Sequence, residues 1–168
     1  MTVVDFDGAI SSLELPEGWC EGFVRTPYHG SAVRTFSPPG KEDEFALNLW
    51  SRGTALTERS EIKFAAILSQ PAHELGPHEI ESLSEVLANM GKESMFTISR
   101  ARTTDINGKR VLLVGGQWTS LNKTSVGMFV PLENYSKVDE IYCLCQPDAY
   151  EQYAPVLDEV FASLRWQA

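Results

Sequence analysis

The pair Asn107-Gly108 constrains this chain most. Asn-Gly supplies the positive φ angles of a tight two-residue turn, and strand-like arms flank it on both sides. The stretch Met95 to Trp118 therefore predicts a β-hairpin. Its second arm, Arg110-Val-Leu-Leu-Val114, is the most hydrophobic strand-like run in the chain and ends at Gly115-Gly116. Such a run is expected near the middle of an antiparallel sheet, with the glycines marking a strand end or a bulge.

Before the hairpin, Val3, Val4 and Phe6 suggest an edge strand or a docked tail within residues 1–14. The segment Cys20 to Arg25 follows a turn at Leu15-Pro-Glu-Gly-Trp19, Pro27-Tyr-His-Gly30 reads as another turn, and Ser31 to Phe36 as a short strand. Period-two alternation of Phe45, Leu47 and Leu49 gives a half-buried strand over Glu44–Trp50, with Trp50 on the opposite side. Residues 51–59 read as a loop or weak turn, and Ile62 to Leu68 as a short helix. Ile80, Leu83, Val86, Leu87 and Met90 recur at helical intervals, giving an amphipathic helix from His78 to Met90 with Gly91 as its stop.

After the hairpin, Ser125 to Pro131 and Ser136 to Cys145 read as strands, the latter with both faces apolar toward its end. Asp148 with Glu151 has capping-box spacing, but Pro155 interrupts the pattern. The expectation is a short turn at 148–153, then a helix from Pro155 buried through Val156, Leu157, Val160, Phe161 and Leu164, with Trp166 near its end. Strands, a helix, more strands and a terminal helix describe an α+β domain over residues 1–168, with 43% hydrophobic residues to fill its core.

The charge excludes some partners. A net charge of −9 disfavours nucleic acid, which needs a concentrated basic surface. Lys92, Arg100, Arg102, Lys109, Arg110 and Lys123 stand against only Glu93 and Asp105 between Lys92 and Lys123. That local excess reads either as strand residues balancing an acidic molecule or as a site for an anion or acidic protein. No basic, apolar leader is visible and no run reaches membrane-spanning length, so membrane insertion is not expected and a cytoplasmic location is.

Catalytic signals are absent from the sequence pattern. Cys20, Cys143 and Cys145 read as buried thiols. His73 and His78 with nearby Glu74, Glu79 and Glu81 have a metal-like flavour, but their spacing crosses Gly76-Pro77 and departs from His-Glu-x-x-His; His29 stands alone. Asp5 and Asp7 match the spacing of the paired aspartates of haloacid dehalogenase-class phosphatases, without the βα units or lysine that would support it. No catalytic, cofactor-binding or metal-binding residue is assigned, and no cofactor is expected. Arg100, Arg102, Trp118 and Trp50 are the candidates for a partner or anion contact, arginine beside tryptophan being a common composition of contact hot spots.

The runs Thr104 to Trp118, Val126-Gly-Met-Phe-Val130, Glu140 to Cys145 and Tyr153 to Trp166 together resemble the PsbP-like and DcrB-like superfamily. The closing phrase Phe161, Ser163, Leu164 and the early Leu15 to Trp19 are similar to that class too. The resemblance implies an α/β/α sandwich around an antiparallel sheet, in a class that includes photosystem-associated extrinsic proteins and a binder of a nuclear-transport GTPase. It also implies a non-enzymatic interaction or accessory protein, the immunity type among its forms, whose partner is another protein; a homo-oligomer is not predicted. The alternative is an anion-binding protein or enzyme with a pocket near the hairpin, which requires Arg100 or Arg102 to point into a hollow.

Overall fold

A computed structural model describes residues 1–22, 33–89 and 96–168. The strands are β1 (Thr2–Asp5), β2 (Ile10–Leu15), β3 (Cys20–Glu21), β4 (Val33–Ser37), β5 (Phe45–Ala55), β6 (Phe96–Ile106), β7 (Lys109–Trp118), β8 (Lys123–Leu132), β9 (Lys137–Cys145) and β10 (Arg165–Trp166). The helices are α1 (Glu58–Leu68), α2 (Pro77–Asn89) and α3 (Tyr150–Ser163). Seven strands form one antiparallel sheet in the order β3-β4-β5-β9-β8-β7-β6, and β1-β2-β10 form a smaller one.

The hairpin is present as the Asn-Gly pair dictates. Asn107 has φ 47° and Gly108 φ 85°, both left-handed, and Ile106 pairs with Lys109 across the turn. Its second arm, β7, is not the middle strand; β9 is, and β7 lies next to the outermost strand β6. β7 is nevertheless buried on both sides because each face of the sheet has its own cover. On one face, Leu112, Val114, Phe129 and Val138 pack under Phe64, Ile67, Leu83, Val86 and Leu87 of α1 and α2. On the other, Val111, Met128, Val130, Ile141 and Cys143 pack under α3 and the small sheet. Helices on one side and a helix with a small sheet on the other give the expected α+β sandwich around an antiparallel sheet.

Local chemistry sets the element ends. Thr57 caps α1, its hydroxyl accepting the Ser60 N–H at 3.2 Å, so this helix begins four residues before the sequence estimate. The expected loop at 51–59 is mostly strand instead, because β5 runs on to Ala55 after an irregularity between Trp50 and Thr54. Gly53 there has φ 70°, and its N–H donates to Asp139 Oδ1 at 2.6 Å. Asp139 Oδ2 accepts the Ala9 N–H at 3.1 Å, so one buried carboxylate ties the small sheet to the large one. Burial pushes that carboxyl above its ordinary value, against the pull of the two N–H donors and the Lys109 ammonium.

Several expectations are corrected. α3 is continuous through Pro155, with Ala149 rather than Asp148 at its N-cap and no side-chain cap bond. Pro155 is exposed, so the Glu151 carbonyl that its missing N–H leaves unbonded faces water rather than the core. Trp166 lies in β10, pairing with Ile10 instead of ending the helix. Residues 1–14 form the β1–β2 hairpin rather than a single strand or tail. Cys143 and Cys145 are buried, and burial pushes the Cys143 thiol up to about 12. Cys20 is exposed, because it opens the two-residue strand at the far sheet edge. The expected turn at Pro27–Gly30, His29, and the helix end at Met90-Gly91 lie outside the described residues, as do residues 23–25 of the segment from Cys20 to Arg25.

Gly115-Gly116 is strand interior, and the bulge is on the partner strand, between Ile98 and Arg100. A Cβ on Gly116 would overlap the Thr97 carbonyl oxygen and lie 2.7 Å from Phe96 Cζ. Gly116→Ala is therefore expected to lower stability by about 1–3 kcal/mol, the usual range for overpacking. Urea denaturation checks this, and a change within about 0.5 kcal/mol would show that β6 shifts freely.

Candidate interaction site

β6 is the outermost strand on its side of the large sheet, and hairpin register decides where its side chains stand. Arg100 pairs with Gly115 and Arg102 with Leu113, which places both arginines on the α3 face of the sheet. Trp118 pairs with Phe96, and Trp50 with Glu140, on the face covered by α1 and α2. The structure thus separates the four candidate residues into two groups on opposite faces. The tryptophans are half-buried: the Trp118 ring lies 5.3 Å from that of Phe96, and the Trp50 indole lies beside the Tyr142 phenol, whose pKa burial pushes up to about 12. They belong to packing around Tyr142 and Phe96, whereas the arginines stand in solvent.

The open edge of β6 is closed over part of its length by the chain itself. Residues 73–75 run antiparallel beside it: the Leu75 N–H donates to the Ala101 carbonyl at 3.0 Å, the Thr103 N–H to the His73 carbonyl at 2.9 Å, and Glu74 bridges Arg102. Side chains reinforce the cover. The Thr103 hydroxyl accepts the His73 N–H at 3.0 Å, and Arg100 holds Glu74 through two bonds of 3.2 and 2.5 Å. Arg100 keeps the Glu74 carboxyl below its usual range, although both side chains are largely in water, where such a pair adds little stability. Among the described residues, no strand bridges the outer side of β6 from Phe96 to Arg100.

His73 and Glu79 anchor this cover to the start of α2. His73 Nε2 meets the Glu79 carboxylate at 2.9 and 3.0 Å, and Glu79 also accepts the Gly76 N–H at 3.2 Å. The metal-like cluster read from the sequence is therefore an ion pair that positions a strand. Among the described residues no three His, Cys, Asp or Glu side chains gather as a metal site. The basic excess around the hairpin is also spread out. Arg110 holds Asp105 and the Gln70 carbonyl, Lys123 the Asp43 carbonyl, and Lys109 lies 5.3 Å over the Trp166 ring. Lys92 lies outside the described residues.

Beside the uncovered half of β6, a groove of about 430 Å³ separates that strand from α2. Ile80, Ala88, Phe96 and Ile98 line it, with Glu81 and Glu85 along the helix side. Neither this groove nor the hollow beside Gly108 and Tyr135 is lined by Arg100 or Arg102. The second is lined by Lys109 and Arg110 instead, so a hollow lined by Arg100 or Arg102, which the enzyme or anion-binder alternative requires, is formed in neither. The groove, the His73–Glu79 anchor and the Asp139 tie escape sequence inspection because each needs partners from distant elements. Only the cluster of His73, Glu74 and Glu79 left a sequence signal.

No protein-family model matches the chain, and no curated protein does. Among solved structures it is similar to the solution structure of cyanobacterial PsbP (CyanoP) from Synechocystis sp. PCC 6803. The TM-score is 0.54 at 10% identity, over 93% of this chain and 86% of that one. The fold is PsbP-like. At that identity the likeness establishes architecture, in agreement with the resemblance in the sequence. It also corrects the cytoplasmic expectation: the protein whose fold is matched, a cyanobacterial PsbP, is extracytoplasmic. Among the described residues no helix is long and apolar enough to cross a membrane.

The hydrogen bond that the His73 ring donates to Glu79, helped by the Pro71 carbonyl, raises the His73 pKa; burial pushes Glu79 up, but His73 and Gly76 outweigh it and bring Glu79 below its usual range. A raised histidine contributes stability fully below its ordinary pKa of about 6.5 and loses it as pH rises through the raised value. A lowered glutamate contributes above about 4.3 and loses as pH falls. The pair should therefore hold the edge cover best between those limits. NMR titration of the His73 ring is expected to give a midpoint above 6.5 that falls in Glu79→Gln; a midpoint unmoved by that substitution would contradict the pairing.

Proposed function

We propose that this chain is a non-enzymatic interaction protein that docks a protein partner along the β6 edge, with Arg100 and Arg102 as contact residues. The observation that carries this is an edge strand that no other strand among the described residues covers from Phe96 to Arg100, with both arginines in solvent on one face. Exposed sheet edges tend to recruit other chains, and natural proteins usually blunt or cover them. Among the described residues the cover stops at Ala101. The PsbP-like fold and the lack of a metal cluster among the described residues support a binding role by analogy.

Arg100 is already engaged with Glu74, and this shapes what it offers. An exposed pair is exchanged at little cost, so a carboxylate on the partner can replace Glu74. Arg102 lies close enough to Glu74 to lower its pKa, and it stands on the same face two residues along. The two guanidinium groups suit a partner that presents carboxylates at strand spacing.

The test is photo-crosslinking from position 104, with the partner identified and its binding then measured with purified components. Arg100→Glu combined with Arg102→Glu is expected to weaken that binding roughly tenfold or more, as loss of arginine contacts commonly does. Undiminished binding by the double variant, or turnover of a substrate by the purified chain, would overturn the reading.

A further inference from the structure

We infer that the groove between α2 and the first half of β6 receives an extended, basic-flanked peptide segment of a protein partner, which adds to the sheet as a further strand. This deepens the proposed function and rests on it. The chain itself shows how the edge takes a strand. Residues 73–75 lie antiparallel to β6 and exchange backbone hydrogen bonds at Ala101 and Thr103, and toward Phe96 no strand among the described residues covers the same edge. Five residues of strand span roughly 16 Å, enough to seat a short extended segment.

The groove supplies what an added strand needs beside its backbone bonds. Alternate side chains of an extended peptide point to one side, and on this side Ile80, Ala88 and Ile98 form an apolar trough. Phe96 is fixed at one end of the trough, its ring over Gly116 and against Trp118, so that end is preformed. The bulge between Ile98 and Arg100, where the Ser99 hydroxyl donates to the Gly115 carbonyl at 3.1 Å, separates the open half of the edge from the covered half.

Charge selects the occupant. Glu81 and Glu85 stand along the helix lip of the groove. Lys63 and Arg59 occupy Glu85, whereas Glu81 has no ion-pair partner among the described residues. With a net charge of −9 on the whole chain, the lip attracts lysine or arginine. A second copy of this chain is disfavoured, because two-fold pairing of β6 with itself brings two acidic lips together.

The test uses fluorescein-labelled Lys-Val-Thr-Ile-Thr-Val-Lys as probe with the full chain, followed by anisotropy and by amide shifts. The same peptide with Glu at both ends and one with Pro at its centre serve as comparisons. Saturable binding of the Lys-ended peptide with shifts at Thr97 and Ile98 is expected, at least tenfold tighter than for either comparison. Ala88→Arg, which fills the trough, should abolish it, and the surface substitution Glu81→Lys should weaken it at least threefold while strengthening the Glu-ended peptide. Absence of saturable binding, or affinity unchanged by both substitutions, overturns the groove assignment. If Glu81→Lys and Ala88→Arg leave binding of the crosslinked partner intact while the double arginine variant loses it, the groove assignment fails and the broader interaction role stands.

Discussion

The burial of β7 on both faces is the constraint on which the remaining structure depends. Val111 and Leu112 are adjacent residues with no exposure to solvent, and they feed two different cores. The two rows of side chains on such a strand each require a cover. One cover is the α1–α2 pair, and the other is α3 with the small sheet. The tight Asn107-Gly108 turn then forces β6 to lie beside β7, and among the described residues only the short run at 73–75 lies beyond β6. The open edge is thus a consequence of how the interior is filled.

From that edge follows the character of the surface. The bulge near Ser99 turns the strand where its cover ends, and the side chains on its two faces meet different surroundings. Arg100 and Arg102 face water and an exchangeable glutamate, whereas Phe96 and Ile98 lean into a groove under α2. Catalysis asks for convergent polar groups in a closed site. Here the charged groups are dispersed over an exposed strand and its rim, an arrangement suited to a chain lying along it.

Much of this was legible in the residues. The Asn-Gly turn, the period of α2 and the alternation of Val138 to Cys145 each point to the element observed, because each is a local pattern carried by backbone geometry. Even the separation of arginines from tryptophan follows from the turn: pairing Ile106 with Lys109 sets Arg102 against Leu113, and Trp118 then lies on the other face. The residues alone do not tell that Pro155 faces solvent, so that a helix can run through it, or that Trp166 leaves the helix to pair with β2. Nor do they tell that Asp139 bonds Ala9 and Gly53, which are more than eighty residues away. Such features depend on which distant elements meet, and a local pattern carries no trace of that.

The most direct measurement is residue-resolved amide hydrogen exchange along β6 in the free protein. The Thr103 amide, bonded to the His73 carbonyl, should exchange slowly, and Val111 to Val114 in β7 slowest of all. Outward amides among residues 97–99 should exchange orders of magnitude faster, because no strand among the described residues covers them. Protection there as strong as at Thr103 would contradict a half-open edge.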